Sequence, residues 1–145
     1  MNLIIEPASA SDIAAFDAYT YEPPYDFYNG EDDPVEDAER YFAARDGQGM
    51  LVGFFYYDVR DTTIEIGLGL RPDLTGRGLG GEFLRGGIDF ARSHFGAERI
   101  LLNVAAFNER AITVYERAGF LRTGEHVRTF ERWGPVPFVE MELVR

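Results

Sequence analysis

Short runs of aromatic and β-branched residues, separated by turn residues, fill much of the first half of the chain, which predicts strands. The predicted strands cover residues 3–5, 41–45, 50–59 and 62–70. The last three are separated by Asp46-Gly47-Gln48-Gly49 and by Arg60-Asp61, and such residues favour tight turns between paired strands. We therefore expect these three strands to form an antiparallel meander.

Four stretches carry helix signals. They run from Ser9 or Ser11 to Tyr19, over residues 31–40, from Leu79 to Phe95, and from Asn108 to Gly119. Pro23-Pro24 ends the first helix, because proline cannot continue one. Gly96 suits the left-handed position that follows the third helix. Three more strands are predicted over residues 99–104, 120–130 and 136–144.

The order of these elements predicts an α+β domain. The expected fold is a mixed, mostly antiparallel central sheet of about seven strands, with about four helices and one right-handed β-α-β crossover. With 145 residues, the chain has the length of one domain, which we place at residues 1–145.

Acidic residues outnumber basic ones, 25 against 14, so the net charge is −11. Residues 1–39 hold eleven acids and no base, and they account for the whole imbalance. This charge excludes a surface that follows nucleic-acid phosphates, because such affinity comes mostly from Lys and Arg. The acidic stretch is either a solvated face or the mouth of a site that attracts a cationic substrate.

Cysteine is absent, and only two histidines are present. This composition excludes disulfides, a cysteine-ligated zinc site and a cysteine nucleophile, and it predicts no metal centre. The first residues lack the pattern of a signal peptide, and the longest apolar run, residues 50–57, is too short to span a membrane. We therefore expect a cytoplasmic protein that does not contact membranes.

A glycine-rich loop, Thr75-Gly76-Arg77-Gly78-Leu79-Gly80-Gly81, joins a predicted strand to a predicted helix. Free backbone N–H groups and the positive end of the helix dipole meet at such a point, so phosphate is its natural ligand. Either Arg71 or Arg77 could add a charged contact. The plainer alternative is a helix cap that only packs tightly.

Two nucleotide-binding patterns fit this loop poorly. The phosphate-binding loop of nucleotide triphosphatases requires Lys and then Ser or Thr, whereas Glu82 and Phe83 follow here. The spacing of Gly76, Gly78 and Gly81 matches the dinucleotide fingerprint formally, but the next predicted strand ends without the acidic residue that this fingerprint needs.

Residues 65–80 read EIGLGLRPDLTGRGLG, and residues 108–120 read NERAITVYERAGF. The first run resembles the acetyl-CoA-binding motif of the GNAT superfamily of N-acetyltransferases, and the second resembles the family's second motif. Both lie in the family's order within residues 62–120. One position departs from the pattern: Thr75 stands where the family has Gln or Arg three residues before Gly78, and the neighbouring Arg77 could compensate.

The resemblance implies a GNAT-like fold and direct transfer of an acetyl group from acetyl-CoA to an amine. In the family, the strand before the loop splays from the next one, and the pantetheine arm lies in the gap. Gly67 and Gly69 would permit a bulge there that exposes backbone N–H groups. The implied cofactor-binding residues are Leu68, Leu70, Arg71, Thr75, Gly76, Arg77, Gly78, Leu79, Gly80, Asn103 and Asn108.

Glu65 matches the acidic residue that many family members use as a general base, and Tyr115 matches the tyrosine that protonates the departing thiolate. A paired structural carboxylate and a core tyrosine are the alternatives. A phenol is less acidic than a thiol, so a hydrogen bond from Tyr115 could suffice. Asn108 could also serve simply as a helix cap.

The acceptor site in this family lies between the first two helices, where this chain has Glu22, Tyr25 and Tyr28. Aromatic rings with carboxylates suit an ammonium group, although these rings could instead pack between loop and sheet. The expected partners are a small-molecule or peptide amine and, as an open alternative, a second copy of the chain. A non-catalytic sensor that binds acyl-CoA is the alternative function.

Overall fold

A seven-stranded sheet organises the computed structural model, which describes residues 2–30 and 34–144. Its strands are β1 (Ile4–Pro7), β2 (Tyr41–Arg45), β3 (Leu51–Arg60), β4 (Thr63–Leu70), β5 (Arg99–Ala105), β6 (Leu121–Phe130) and β7 (Gly134–Val144). They lie in the order β1-β2-β3-β4-β5-β7-β6, and only β4 and β5 are parallel. The mixed, mostly antiparallel α+β architecture is therefore confirmed.

Three α-helices accompany the sheet in the described part of the chain, where about four were expected. They are α1 (Ala10–Asp17), α2 (Gly80–Phe95) and α3 (Glu109–Arg117). The crossover that joins the parallel strands β4 and β5 contains α2.

The helix predicted over residues 31–40 is wrong in its described part. Residues 31–33 lie outside the described residues, and beyond them only the 3₁₀ turn Ala38–Arg40 forms. The backbone N–H of Val35 donates to Oδ1 of Asp17 at the end of α1 (2.9 Å) instead of bonding within its own segment. The stretch is also densely acidic, and like charges one turn apart disfavour a helix.

Ser9, rather than Ser11, caps α1. Its hydroxyl accepts from the backbone N–H of Asp12 (3.1 Å), and the Asp12 carboxylate accepts from the backbone N–H of Ser9 (3.0 Å). Burial raises the pKa of Asp12, but the hydrogen bonds from Arg45 and Ser9 outweigh burial and hold that pKa below its usual value. The cap thereby ties α1 to β2, which carries Arg45.

Helix α2 packs closely on one face of the sheet. The rings of Phe55 and Phe83 stack with centroids 4.4 Å apart, and both are fully buried. Gly87 lets the helix approach this far, because a Cβ there would lie 2.3 Å from the Phe55 ring. The Tyr57 hydroxyl donates to the Gly87 carbonyl (2.8 Å) and fixes the contact.

Strands β4 and β5 pair only at their beginnings. The paired residues run from Thr63 with Arg99 to Glu65 with Leu101, and no later pairs follow in the described sheet. Beyond Glu65 the two strands therefore separate, as the family resemblance implied.

No bulge accompanies this separation, contrary to expectation. The pairing of β3 with β4 runs without a register shift. Instead, Gly67 and Gly69 make room for two rings of β3: a Cβ on Gly69 would lie 2.4 Å from the Phe54 ring, and one on Gly67 would lie 3.3 Å from Cβ of Tyr56. The glycines thus serve the packing of β3 side chains on the face opposite α2.

We predict that Gly87→Ala lowers the free energy of unfolding by about 1–3 kcal/mol, because the added methyl would displace the fully buried Phe55 ring. The measurement is urea denaturation. Gly81→Ala is the matched control within α2, since a Cβ there meets nothing within 4 Å. Equal stability of the Gly87→Ala variant and the wild type would contradict this account of the packing.

Candidate active site

A cleft of about 1550 Å³ opens where β4 and β5 separate. The glycine loop and α3 line it, and so does the 3₁₀ turn Tyr25–Tyr28, which we call the aromatic turn and which lies against α3. Trp133 also belongs to the lining. The floor includes Glu65 and Asn103. The cleft therefore joins the loop suited to phosphate with the segment expected to hold an acceptor.

The register of β3 and β4 decides which backbone groups face the gap. The N–H of Arg71 donates to the carbonyl of Val52 (2.8 Å), so these two residues form a hydrogen-bonded pair. Because such pairs alternate along antiparallel strands, the N–H groups of Leu68 and Leu70 point away from β3 and toward the gap. An extended ligand between β4 and β5 could hydrogen-bond with both.

The glycine loop ends on the N-terminus of α2. Gly76 and Gly78 have φ values of 73° and 76°, a left-handed region that favours glycine. The residue before α2 is Leu79, whose side chain has no oxygen to cap the first N–H groups. The Thr75 hydroxyl donates to the Pro72 carbonyl (2.7 Å) and can still accept a hydrogen bond. The loop is shaped to receive an anion.

Arg71 and Arg77, the two arginines expected at this loop, do not line the cleft. The Arg71 guanidinium binds both carboxylate oxygens of Asp73 (2.6 and 3.0 Å) and donates to the carbonyl of Leu51 (2.8 Å). Arg77 is exposed.

Arg110 of α3 lies beside the loop, where Arg71 or Arg77 was expected to add a charged contact. Its Nη1 lies 3.9 Å from where a Cβ of Gly76 would stand, and its guanidinium lies over the Tyr25 ring, 4.2 Å from the centroid. The packing of α3 brings it there: Arg110 lies one turn before Val114, which approaches Gly80 in the same loop. No pattern in the sequence reveals this packing.

Glu65 lies on the floor of the cleft with 28% of its side chain exposed. Its nearest cation is Arg60, with 3.9 Å between Oε1 and Nη2, whereas the same guanidinium donates to Asp58 at 2.8 Å. Arg60 therefore belongs mainly to Asp58, and its contact with the Glu65 carboxylate is the weaker of the two.

Asn108 caps α3 and also contacts the aromatic turn. Its Oδ1 accepts from the backbone N–H of Ala111 (3.1 Å) and caps α3, while its Nδ2 donates to the Tyr28 hydroxyl (3.2 Å). Tyr115 lines the same part of the cleft, and burial raises the pKa of its phenol well above the usual value, with a smaller contribution from Tyr28. The structure thus brings Tyr28, Asn108 and Tyr115 together.

The acceptor end is built on Phe27, a buried ring at the centre of an aromatic cluster. Five rings lie 5.0 to 6.2 Å from it: Tyr28, Phe107, Phe130, Trp133 and Phe138. Phe27, Tyr25 and Tyr28 of this turn all line the cleft, but only Phe27 is buried at the centre of the cluster. Glu22 is exposed and is absent from the lining.

Two further residues line the gap. Asn103 is half-buried, and its Oδ1 is buried with no hydrogen-bond partner among residues 2–30 and 34–144. An orphaned acceptor of this kind suits a ligand that brings a donor. Tyr21, on the segment before the aromatic turn, donates its hydroxyl to the Leu70 carbonyl (2.8 Å) and holds that segment against the end of β4.

The described residues contain no cluster of three or more His, Cys, Asp or Glu that could hold a metal ion. In the same part of the chain, every helix is too short or too polar to cross a membrane.

Comparisons with known proteins agree with this geometry. A mycothiol acetyltransferase from Salinispora tropica is 35% identical over 102 residues, which make up 66% of this chain and 33% of that protein. A spermidine N(1)-acetyltransferase from Vibrio cholerae is 25% identical over 121 residues, or 78% of this chain and 70% of that protein. The chain thus spans about a third of the length of the mycothiol acetyltransferases that it matches.

The fold also matches solved structures. An acetyltransferase of the GNAT family from Bacillus anthracis superposes with a TM-score of 0.76 at 16% identity, covering 99% of this chain and 95% of that one. The model of the acetyltransferase (GNAT) family matches residues 8–120, which is most of the chain. The chain therefore belongs to the GNAT family of acetyltransferases.

Proposed function

We propose that the protein is an acetyl-CoA-dependent N-acetyltransferase that acts on a primary amine of a cationic small molecule or peptide. The observation that carries this proposal is the continuity of the cleft. The cleft leads from a glycine loop suited to bind an anion, through the gap that the N–H groups of Leu68 and Leu70 face, to Glu65 and Tyr115. A pyrophosphate, a pantetheine amide chain and a thioester would meet matching groups in that order.

The described residues fit the acetyl donor at several points. The N–H groups of the glycine loop and the Arg110 guanidinium would bind phosphate, because both supply donors and positive charge. The N–H groups of Leu68 and Leu70 and the orphaned Oδ1 of Asn103 would bind the pantetheine amides. Bound acetyl-CoA supplies an activated acetyl group, and the chain's own residues must then handle the amine and the protons.

The acidic first part of the chain contributes three acids to the wall of the cleft: Asp17, Glu36 and Asp37. They support the interpretation of that part as the mouth of a site for a cationic acceptor. The wall as a whole is balanced in charge, because six acids and six arginines line it. A polyamine also fits the activity of the Vibrio cholerae relative, which is a spermidine N(1)-acetyltransferase.

In the mechanism that we propose, Glu65 removes a proton from the acceptor, directly or through water. A Lys-like amine with a pKa of ~10.4 is only about 0.04% neutral at pH 7, so it needs a base before its nitrogen can attack the acetyl carbon. Tyr115 then donates a hydrogen bond to the sulfur as the carbon–sulfur bond breaks. Its raised pKa keeps the phenol protonated for that role.

The whole activity is tested by incubating the wild type with acetyl-CoA and a panel of amines while a thiol reagent detects released CoA. We expect release above background hydrolysis with polyamines or peptide amines. Tight binding of acetyl-CoA without release for any acceptor would instead support the sensor function.

We predict that Arg110→Ala weakens acetyl-CoA binding about 10- to 100-fold in calorimetry, because a hydrogen bond from a charged group is worth about 1.5–3 kcal/mol. Arg122→Ala is the control, since it removes the same charge from an exposed position on β6 that does not line the cleft. An equal effect of both substitutions on acetyl-CoA affinity would show that binding depends only on the net charge of the protein, and it would contradict a direct contact from Arg110.

We predict that Glu65→Gln lowers kcat/KM for a polyamine about 10²- to 10⁴-fold at pH 7, as expected for loss of a general base. The fall should be smaller for a peptide α-amine, since with a pKa of ~7.8 roughly 10 to 15% of it is already neutral. The two acceptors are compared in the same variant. Equal losses, or no loss with the polyamine, would remove Glu65 from this role.

A further inference from the structure

Two large aromatic side chains present exposed surface to the cleft. Trp133, in the turn between β6 and β7, and Tyr28 of the aromatic turn both line the cleft, and each is 37% exposed. Both pack on the buried ring of Phe27, with centroids 6.0 and 5.0 Å from it. We call Tyr28 and Trp133 the aromatic wall. Large apolar groups exposed together in a cleft are typical of a surface that a ligand covers.

The Trp133 ring is held in place from two sides. Phe27 packs against it at an angle of 60°, and the Arg132 guanidinium lies over it, 4.6 Å from the centroid. Nη2 of Arg132 lies 4.0 Å from Oδ2 of Asp26 in the aromatic turn, so this ion pair also joins the two turns. A ring that is already fixed loses little conformational freedom when a ligand covers it.

The charges around this wall favour a neutral group over a second ammonium group. Three arginines lie over rings of this region: Arg110 over Tyr25 (4.2 Å), Arg128 over Phe138 (4.8 Å) and Arg132 over Trp133 (4.6 Å). The protein's own cations thus already use the ring faces that would attract a ligand cation, and their charges repel another one. The exposed surface that remains suits an apolar or aromatic group.

The aromatic wall lies on the same face of the sheet as Glu65. The neighbours of Glu65 on β4 are buried in the core beneath α2, so Glu65 faces the other side. Leu101, its partner on β5, precedes Ala105 by four residues, so both face that side, about 13 Å apart along the strand. Ala105 belongs to the cluster around Phe27. One small acceptor with its amine at Glu65 can therefore reach the wall.

We propose that the aromatic wall selects the acceptor by binding an aromatic or branched apolar group that the acceptor carries close to its primary amine. Trp133 is the specificity-determining residue, because its ring is exposed in the cleft and fixed. This inference rests on the acetyl transfer proposed above and narrows its acceptor class. It favours arylalkylamines and peptides that begin with an aromatic residue over aliphatic polyamines.

The first test is a binding measurement on the wild type. The chain contains one tryptophan, so selectively excited tryptophan emission reports on Trp133 alone. We expect a saturable change in emission with phenethylamine or with a tripeptide that begins with Phe, and none with putrescine at the same concentrations. A response to only one aromatic probe supports the proposal and shows whether the acceptor is a small molecule or a peptide. No response to either, or an equal response to putrescine, would overturn it.

The second test compares kcat and KM in two variants. We expect Trp133→Ala to lower kcat/KM for the better aromatic probe at least 10-fold, mainly through KM, and to leave that for putrescine within twofold of the wild type. Phe107→Ala is the matched control: Phe107 packs on the same Phe27 ring (5.5 Å) and is 41% exposed, but it does not line the cleft. Equal losses for both amines, or equal effects of the two substitutions, would contradict a selective role of Trp133.

The emission measurement needs no turnover, so it separates this proposal from the function on which it rests. If the aromatic probes change the emission but no amine is acetylated, the proposed function fails while the wall remains a binding surface. If the wild type acetylates putrescine with a higher kcat/KM than either aromatic probe, the acetyl transfer stands and the selection by the wall is refuted.

Discussion

The site depends on one interruption in the sheet, the separation of β4 from β5 after Glu65. Up to that point the two parallel strands pair normally; beyond it, β4 continues along β3 while β5 continues along β7. The backbone N–H groups on the facing edges, such as those of Leu68 and Leu70, are then available to a ligand. Buried N–H groups require partners, so an extended molecule with carbonyl groups is the natural occupant of such a gap.

The elements around the gap divide the chemistry between two groups of residues. The glycine loop and the arginine of α3 offer donors and positive charge to phosphate. Acids and aromatic rings of the lining offer an amine negative charge and π faces. The hydrogen bond between Asn108 of α3 and Tyr28 of the aromatic turn joins the two groups, so donor and acceptor would meet where both are fixed.

The elements of the fold could be predicted from local signals, because strand patterns, turn residues and helix caps each depend on only a few neighbouring residues. The helix over residues 31–40 failed because the backbone of Val35 bonds to α1, a contact that no local pattern reveals. At the site, the motif residues could be placed on the loop and on α3. The place of Arg110 and the contact of Asn108 with Tyr28 could not, because they depend on how α3 packs beside the loop and on a hydrogen bond across 80 positions of sequence.

The most direct test of the account is a crystal structure of the protein grown with CoA. The account predicts that the pantetheine arm lies between β4 and β5, hydrogen-bonded to the backbone of Leu68 or Leu70, with the pyrophosphate on the N–H groups of residues 76–81. A CoA molecule bound elsewhere, or an open gap at a saturating concentration of CoA, would contradict it.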